Sequence, residues 1–163
     1  MIDLATHLVD LAAWVLGFPA LTGVSSRLTH GGVPIRRDSD QCEDYGVAQL
    51  EFADGCVVQL ACSWRSPAGR DAVIEAIFHG TRGGATLRNI DGSFYDFVAE
   101  FHDNTQTRMC AEPSDAWGGR AAIEWAQRLQ AGHGFDPAAD EYVRVAELID
   151  AIYSNEVIAR CAS

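Results

Sequence analysis

Asp3, His7 and Asp10 punctuate an otherwise apolar opening stretch, MIDLATHLVDLAAWVLGFP. An imidazole beside a carboxylate is the pair with which proteins most often move protons at neutral pH. At about 100° per residue, Asp3, His7, Asp10 and Trp14 fall within roughly 60° of one another on a helix. Asp3 and His7 are four residues apart and therefore neighbours on the helix surface. Leu4, Leu8, Leu11 and Val15 form a second stripe, and most remaining positions are apolar. The spacing predicts a buried helix with one polar line, which faces a cleft or a polar network because isolated buried charges are costly. His7 is a candidate general base and Asp3 its partner. A plainer reading stands beside it, in which Asp3 caps the helix and His7 is a hydrogen-bonded core histidine. Asp10 is expected to hold structure through backbone or sheet hydrogen bonds.

Other chemistry has less support. A metal centre would need a distant third ligand besides Asp3 and His7, and no HxH, HExxH or CxxC spacing supplies one, so none is expected. His30, His79, His102 and His133 are scattered over strand ends and loops and are expected to be mostly solvated. The run HGTRGG (79–84) has the look of a phosphate loop, but it joins two strands, whereas a phosphate cradle leads into a helix N-terminus. It is read as a turn. All twelve basic residues are arginine, which removes Schiff-base and P-loop lysines from consideration.

The elements that must position these residues can be read in order. Residues 2–16 form the first helix, stopped by Gly17 with Pro19 behind it. Strands follow at 22–30, 45–52 and 56–64, the last two joined through Asp54-Gly55, a hairpin signal. Further strands are expected at 71–80, 84–89 and 93–101, with a turn at Asp91-Gly92. A helix over 119–131, its start at Ser114 or Asp115, ends at Gly132. Asp136-Pro137 opens a final helix through Tyr153, with Tyr142, Val145, Ile149 and Ile152 as its core face. This layout predicts a single α+β domain over 1–163: an open, mostly antiparallel sheet of about six strands with helices on one face.

Composition narrows the setting. A net charge of −11 and a pI near 4.7 argue against nucleic acid as a partner. Cys42, Cys56, Cys62, Cys110 and Cys161 show no paired spacing and are expected as free thiols, which suits the cytoplasm. Asp3 stands where a signal peptide carries positive charge, and the opening helix is too interrupted to span a bilayer.

The segments DLATHLVDLAAWVLG, EDYGVAQLEFADGCVVQLACSW, IEAIFHGTRGGATL and ELIDAIYSNE, in this order and spacing, resemble the C-terminal domain of the Gfo/Idh/MocA oxidoreductases. In that family a D-x-x-x-H-x-x-D helix, followed by Trp and Gly, opens a domain that contacts substrate and often dimerises through its open sheet face. The resemblance implies a sugar, inositol or related polyol as substrate and NAD or NADP as cofactor of the full-length enzyme. It assigns His7 to the proton of the reacting hydroxyl and Asp3 to the carboxylate beside it, both as catalytic and substrate-binding residues. The 163 residues contain no strand–GxGxxG–helix unit and lack the family's Glu-Lys-Pro lysine. Cofactor binding by this chain alone is therefore not expected. A fragment, a truncated product and a half that works with a separate Rossmann partner all remain open, as does a freestanding dimeric ligand-binding or structural module without redox activity. A homodimer or higher oligomer through the sheet is expected, because Val57 and Ala61 leave the second sheet face partly apolar.

Overall fold

A computed structural model describes residues 2–35, 39–113 and 117–156. The chain divides into two compact units, residues 1–66 with 137–163, and residues 67–136.

In the first unit, α1 (Ile2–Leu16) precedes β1 (Leu21–His30), β2 (Val33–Pro34), β3 (Tyr45–Phe52) and β4 (Val57–Ser63). The unit closes with a single 3-10 turn, Pro137–Ala139, and α2 (Asp140–Ser154). The strands form an antiparallel sheet in the order β2-β1-β3-β4. Alternation fixes which face is buried: Val24, Leu50 and Val58 stand in register, as do Ser26, Ala48 and Leu60. On this face Ala48, Leu50, Phe52 and Leu60 meet Ala5, Val9 and Ala13 of α1 and Val145, Leu148, Ile149 and Ile152 of α2. The opposite face is mixed, with Ser25, Gln49 and Gln59 in one row and Arg27, Val47 and Ala61 in the next.

The ends of α1 and the β3–β4 hairpin follow their sequence signals. Gly17 takes φ 75° and Phe18 φ 54°. The Phe18 amide donates to the Ala13 carbonyl at 2.8 Å. A left-handed conformation is costly for a phenylalanine, and burial of its ring offsets the strain. Gly55 carries the positive φ of the hairpin, and the Asp54 carboxylate accepts the Cys56 amide at 3.0 Å. The far end of α2 is stapled to the sheet: the Ser26 hydroxyl donates to the Ile152 carbonyl at 2.6 Å, and the Ser26 amide donates to Asn155 Oδ1 at 2.7 Å.

The second unit is an antiparallel sheet of β5 (Glu75–Gly80), β6 (Gly83–Asn89), β7 (Phe97–Asp103) and β8 (Gln106–Ala111), paired in that order. It also holds a helix at Arg120–Gln130, none of whose residues is buried. Among the described residues, Asn89 is the buried polar residue of this unit. Its side-chain amide donates to the carbonyls of Ala72 and Ser93 and accepts the Ile74 amide, tying the approach to β5 to the β6–β7 turn.

The α+β class read from the sequence is the observed one. The described strands number eight instead of about six, and they pair as two four-stranded sheets. The additions are β2, only two residues long, and β8, which follows a tight turn at Asn104 with φ 51°. Strands expected from 71 and 93 begin later, at Glu75 and Phe97. Ser93 instead accepts the amides of Tyr95 and Asp96 on its hydroxyl, a local turn that competes with strand pairing. HGTRGG is the β5–β6 hairpin, with Gly80 paired to Gly83. The expected helix start at Ser114 or Asp115 lies outside the described residues, as does Cys161.

Candidate functional site

The buried stripe of α1 is Ala5, Val9 and Ala13, each at most 2% exposed. These small side chains let the helix approach α2 and β4 closely, and they turn Asp3, His7 and Trp14 outward. The helix is thus buried on one face only, not enclosed nearly all round: Leu4, Leu8 and Leu11 are half-buried, while Val15 and Trp14 are exposed. Asp10 is half-buried and, among the described residues, makes no hydrogen bond or ion pair, contrary to the structural role expected of it. Its carboxylate is left available to a groove.

That groove runs between α1 and α2 and has a volume of about 350 Å³. Thr6, His7 and Asp10 line one wall; Tyr142, Val145, Ala146, Ile149 and Asp150 line the other. His7 and Asp10 reach it together because they stand three positions apart on α1. Tyr142, expected in the core, is 72% exposed. It sits one turn before the packed stretch of α2, where Val145, Ile149 and Ile152 are at most 5% exposed. Asp3 lies one turn from His7 toward the N-terminus and is not part of the groove lining, and no hydrogen bond joins the two among the described residues. His7 is exposed, so the core-histidine alternative does not describe its position.

Asp150 also borders a second cavity, of about 640 Å³, whose walls include Arg27, Glu43, Tyr153 and Asn155. The Tyr153 hydroxyl donates to the Glu43 carboxylate in its wall. Sequence reading overlooked Tyr142 and Asp150 as groove residues. The available signal was the four-residue step from Ala146 to Asp150, which carries an acid onto the same flank of α2.

Three of the remaining histidines make hydrogen bonds within the fold. His102 Nε2 meets the Thr86 hydroxyl at 3.0 Å and its Nδ1 the Thr107 hydroxyl at 3.1 Å, linking three neighbouring strands. His102 is half-buried, an exception among four histidines expected to be mostly solvated. His30 Nδ1 lies 2.7 Å from the Cys42 carbonyl, and His133 Nδ1 lies 3.2 Å from that of Arg128. Among the described residues, no group of three His, Cys, Asp or Glu side chains is arranged to hold a metal ion. Cys42, Cys56, Cys62 and Cys110 are free thiols. No described helix is long and apolar enough to cross a membrane.

The fold and groove together define an α+β domain that presents an imidazole and two carboxylates to a small cleft. The family model for the GFO/IDH/MocA C-terminal domain matches residues 1–86, just over half of the sequence, and the chain belongs to that family. Among solved structures, KijD10, a 3-ketoreductase from Actinomadura kijaniata in complex with TDP-benzene and NADP, aligns with a TM-score of 0.71 at 18% identity. That alignment covers 94% of this chain and 46% of KijD10. The UDP-N-acetylglucosamine 3-dehydrogenase GnnA from Acidithiobacillus ferrooxidans aligns with a TM-score of 0.74 at 12% identity, over 94% of this chain and 45% of that one. An aldose-aldose oxidoreductase from Caulobacter crescentus, complexed with glycerol, gives 0.68 at 14% identity, over 92% and 43%. These likenesses establish the shared fold. The chain spans less than half the length of each of these proteins. No curated protein matches the sequence.

Proposed function

We propose that this chain is the substrate-binding and dimerising domain of an NAD(P)-dependent oxidoreductase acting on a sugar, inositol or related polyol. The observation that carries the reading is the position of His7, exposed on a groove between α1 and α2 in a chain of the GFO/IDH/MocA family. Oxidation of a secondary alcohol to a ketone removes a hydride and a proton, and the proton is the part these residues handle. His7 takes it from the reacting hydroxyl and returns it in the reverse direction. Asp3, one turn away, orients the imidazole or holds a neighbouring hydroxyl. The apolar floor of Val145, Ala146 and Ile149 suits the C–H face of a ring.

A dinucleotide does not fit the described residues of this chain. Its pyrophosphate calls for a glycine turn opening a helix N-terminus, and the glycine-rich run here is a β-hairpin. No step involving the nicotinamide is therefore assigned to this chain, and the dinucleotide site belongs to a Rossmann domain in the same polypeptide or a partner. Homodimerisation through a sheet face is supported by an apolar side chain left exposed on the strands of each unit taken by itself, Val57 at 54% in the first and Ile77 at 51% in the second.

The test is reconstitution. The chain is fused to, or mixed with, the dinucleotide-binding half of a GFO/IDH/MocA enzyme and screened against inositols and aldoses for nicotinamide reduction. Substrate-dependent reduction supports the reading. A folded fusion that binds NADP and reduces nothing across the panel favours the module without redox activity.

A further inference from the structure

We propose that the α1–α2 groove selects an uncharged or amino-bearing single-ring polyol and rejects phosphorylated and nucleotide-linked sugars, with Asp150 as a specificity-determining residue. The inference rests on the substrate-binding reading above and narrows it to a charge class. Three features of the groove carry it.

The first is charge. Asp10 and Asp150 approach the groove from opposite walls, and among the described residues no arginine lines it. These 163 residues contribute no lysine of their own to it. A phosphate needs charge-assisted donors, which arginine, lysine or a helix N-terminus normally supplies. Here it would meet two carboxylates instead. The second feature is size. At about 350 Å³ the groove lies near the lower end of the roughly 300–1,000 Å³ typical of small-molecule sites, which suits one ring. The third is the distribution of polar groups. Carboxylates accept hydrogen bonds from hydroxyl or ammonium donors, His7 and Tyr142 can donate or accept, and Val145, Ala146 and Ile149 supply an apolar floor. A ring with hydroxyls around its rim and C–H bonds on its face matches this arrangement. Of the structural neighbours, GnnA is named for a UDP-sugar and KijD10 is in complex with TDP-benzene. The difference in substrate charge would then separate this chain from them within one fold.

Asp150 is placed to matter more than its exposure suggests. It lines both this groove and the larger cavity, whereas Asp10 lines the groove alone. A substituent leaving the ring toward the larger cavity passes Asp150. The larger cavity beyond holds both Glu43 and Arg27, so the repulsion of a phosphate is set within the groove and at Asp150.

The experiment uses the 163-residue chain labelled with ¹⁵N and titrated separately with myo-inositol, D-glucosamine and glucose 6-phosphate, following the amides of α1 and α2. The first two are expected to shift residues around His7, Asp10 and Asp150. Glucose 6-phosphate is expected to bind roughly tenfold more weakly than glucosamine, the scale of a charge reversal opposite acidic groups near a solvated surface. Asp150→Asn should narrow that ratio several-fold while the spectrum remains that of the folded chain. Equal or tighter binding of glucose 6-phosphate overturns the charge selection, and an unchanged ratio in Asp150→Asn overturns the role of Asp150. No localised shift with any of the three overturns the claim that this groove holds the ring. Turnover in the reconstituted enzyme tests the broader oxidoreductase reading independently, so failure of one does not stand for failure of the other.

Discussion

Replacing Asn89 with alanine removes the polar tie that organises the 67–136 unit. Three hydrogen bonds disappear together: those donated to Ala72 O at 3.1 Å and Ser93 O at 2.8 Å, and the one accepted from the Ile74 amide at 2.9 Å. Each is worth about 1 kcal/mol net, and leaving a buried backbone partner unsatisfied costs about 1–3 kcal/mol. Water reaches some of the freed groups, so the expected loss is about 3 kcal/mol in total. For a chain of this length that corresponds to a fall of about 6–12 °C in Tm if the units melt together. Calorimetry with hydrogen exchange on the Ile74 amide is the assay, because exchange there should rise even if the first unit remains folded. Asn89→Asp adds a check on sign. Its carboxylate would keep the Ile74 bond but face two carbonyls, so its folded pKa should lie above the unfolded value of about 3.9. The penalty is then largest at neutral pH, shrinks as pH falls through the raised folded pKa, and is minimal below the unfolded value. A loss under about 0.5 kcal/mol in Asn89→Ala, or an Asn89→Asp penalty that grows on acidification, would refute the reasoning.

Other outcomes follow from the same structure. His7→Ala should change stability by less than about 0.5 kcal/mol, since His7 is exposed and a thermal melt reads this directly. Brief alkylation followed by peptide mass spectrometry should modify exposed Cys42 and Cys110 before Cys62, whose thiol burial pushes up; Cys62 reacting first would contradict its placement. Light scattering at micromolar concentration should find a dimer, and a monomer would remove the proposed sheet interface. Calorimetric titration of the chain alone with NADP should show no micromolar affinity; such affinity would mean that a dinucleotide cradle had been overlooked.

Much of the fold was legible because local signals agreed with tertiary packing. Gly17 ended α1, Asp54-Gly55 turned the β3–β4 hairpin, and the Val145–Ile149–Ile152 spacing marked the buried face of α2. Alternation within YGVAQLEF put Ala48, Leu50 and Phe52 on one face. The strands that escaped notice have weak patterns: β2 is two residues, and all six residues of β8 are exposed. An edge strand exposed on both faces carries no alternation, and only Asp103-Asn104 hinted at the turn before it. Division into two sheets depends on pairing that no local pattern encodes. The His7 side of the groove could be read from helical spacing. The other wall could not, because Tyr142 and Asp150 come from the opposite end of the sequence and meet α1 only through the core that joins the two helices. Tyr142 was misplaced for a related reason: it shares the period of the core face but precedes the turn at which α2 begins to pack.

The most direct measurement is the turnover of His7→Ala in the reconstituted, nicotinamide-dependent enzyme, with cofactor affinity followed in parallel. Loss of a placed general base should lower kcat by about 10²–10⁴-fold, with NADP binding unchanged and a smaller loss in Asp3→Asn. Full turnover in His7→Ala, in an enzyme that binds cofactor and oxidises its polyol normally, would contradict the account.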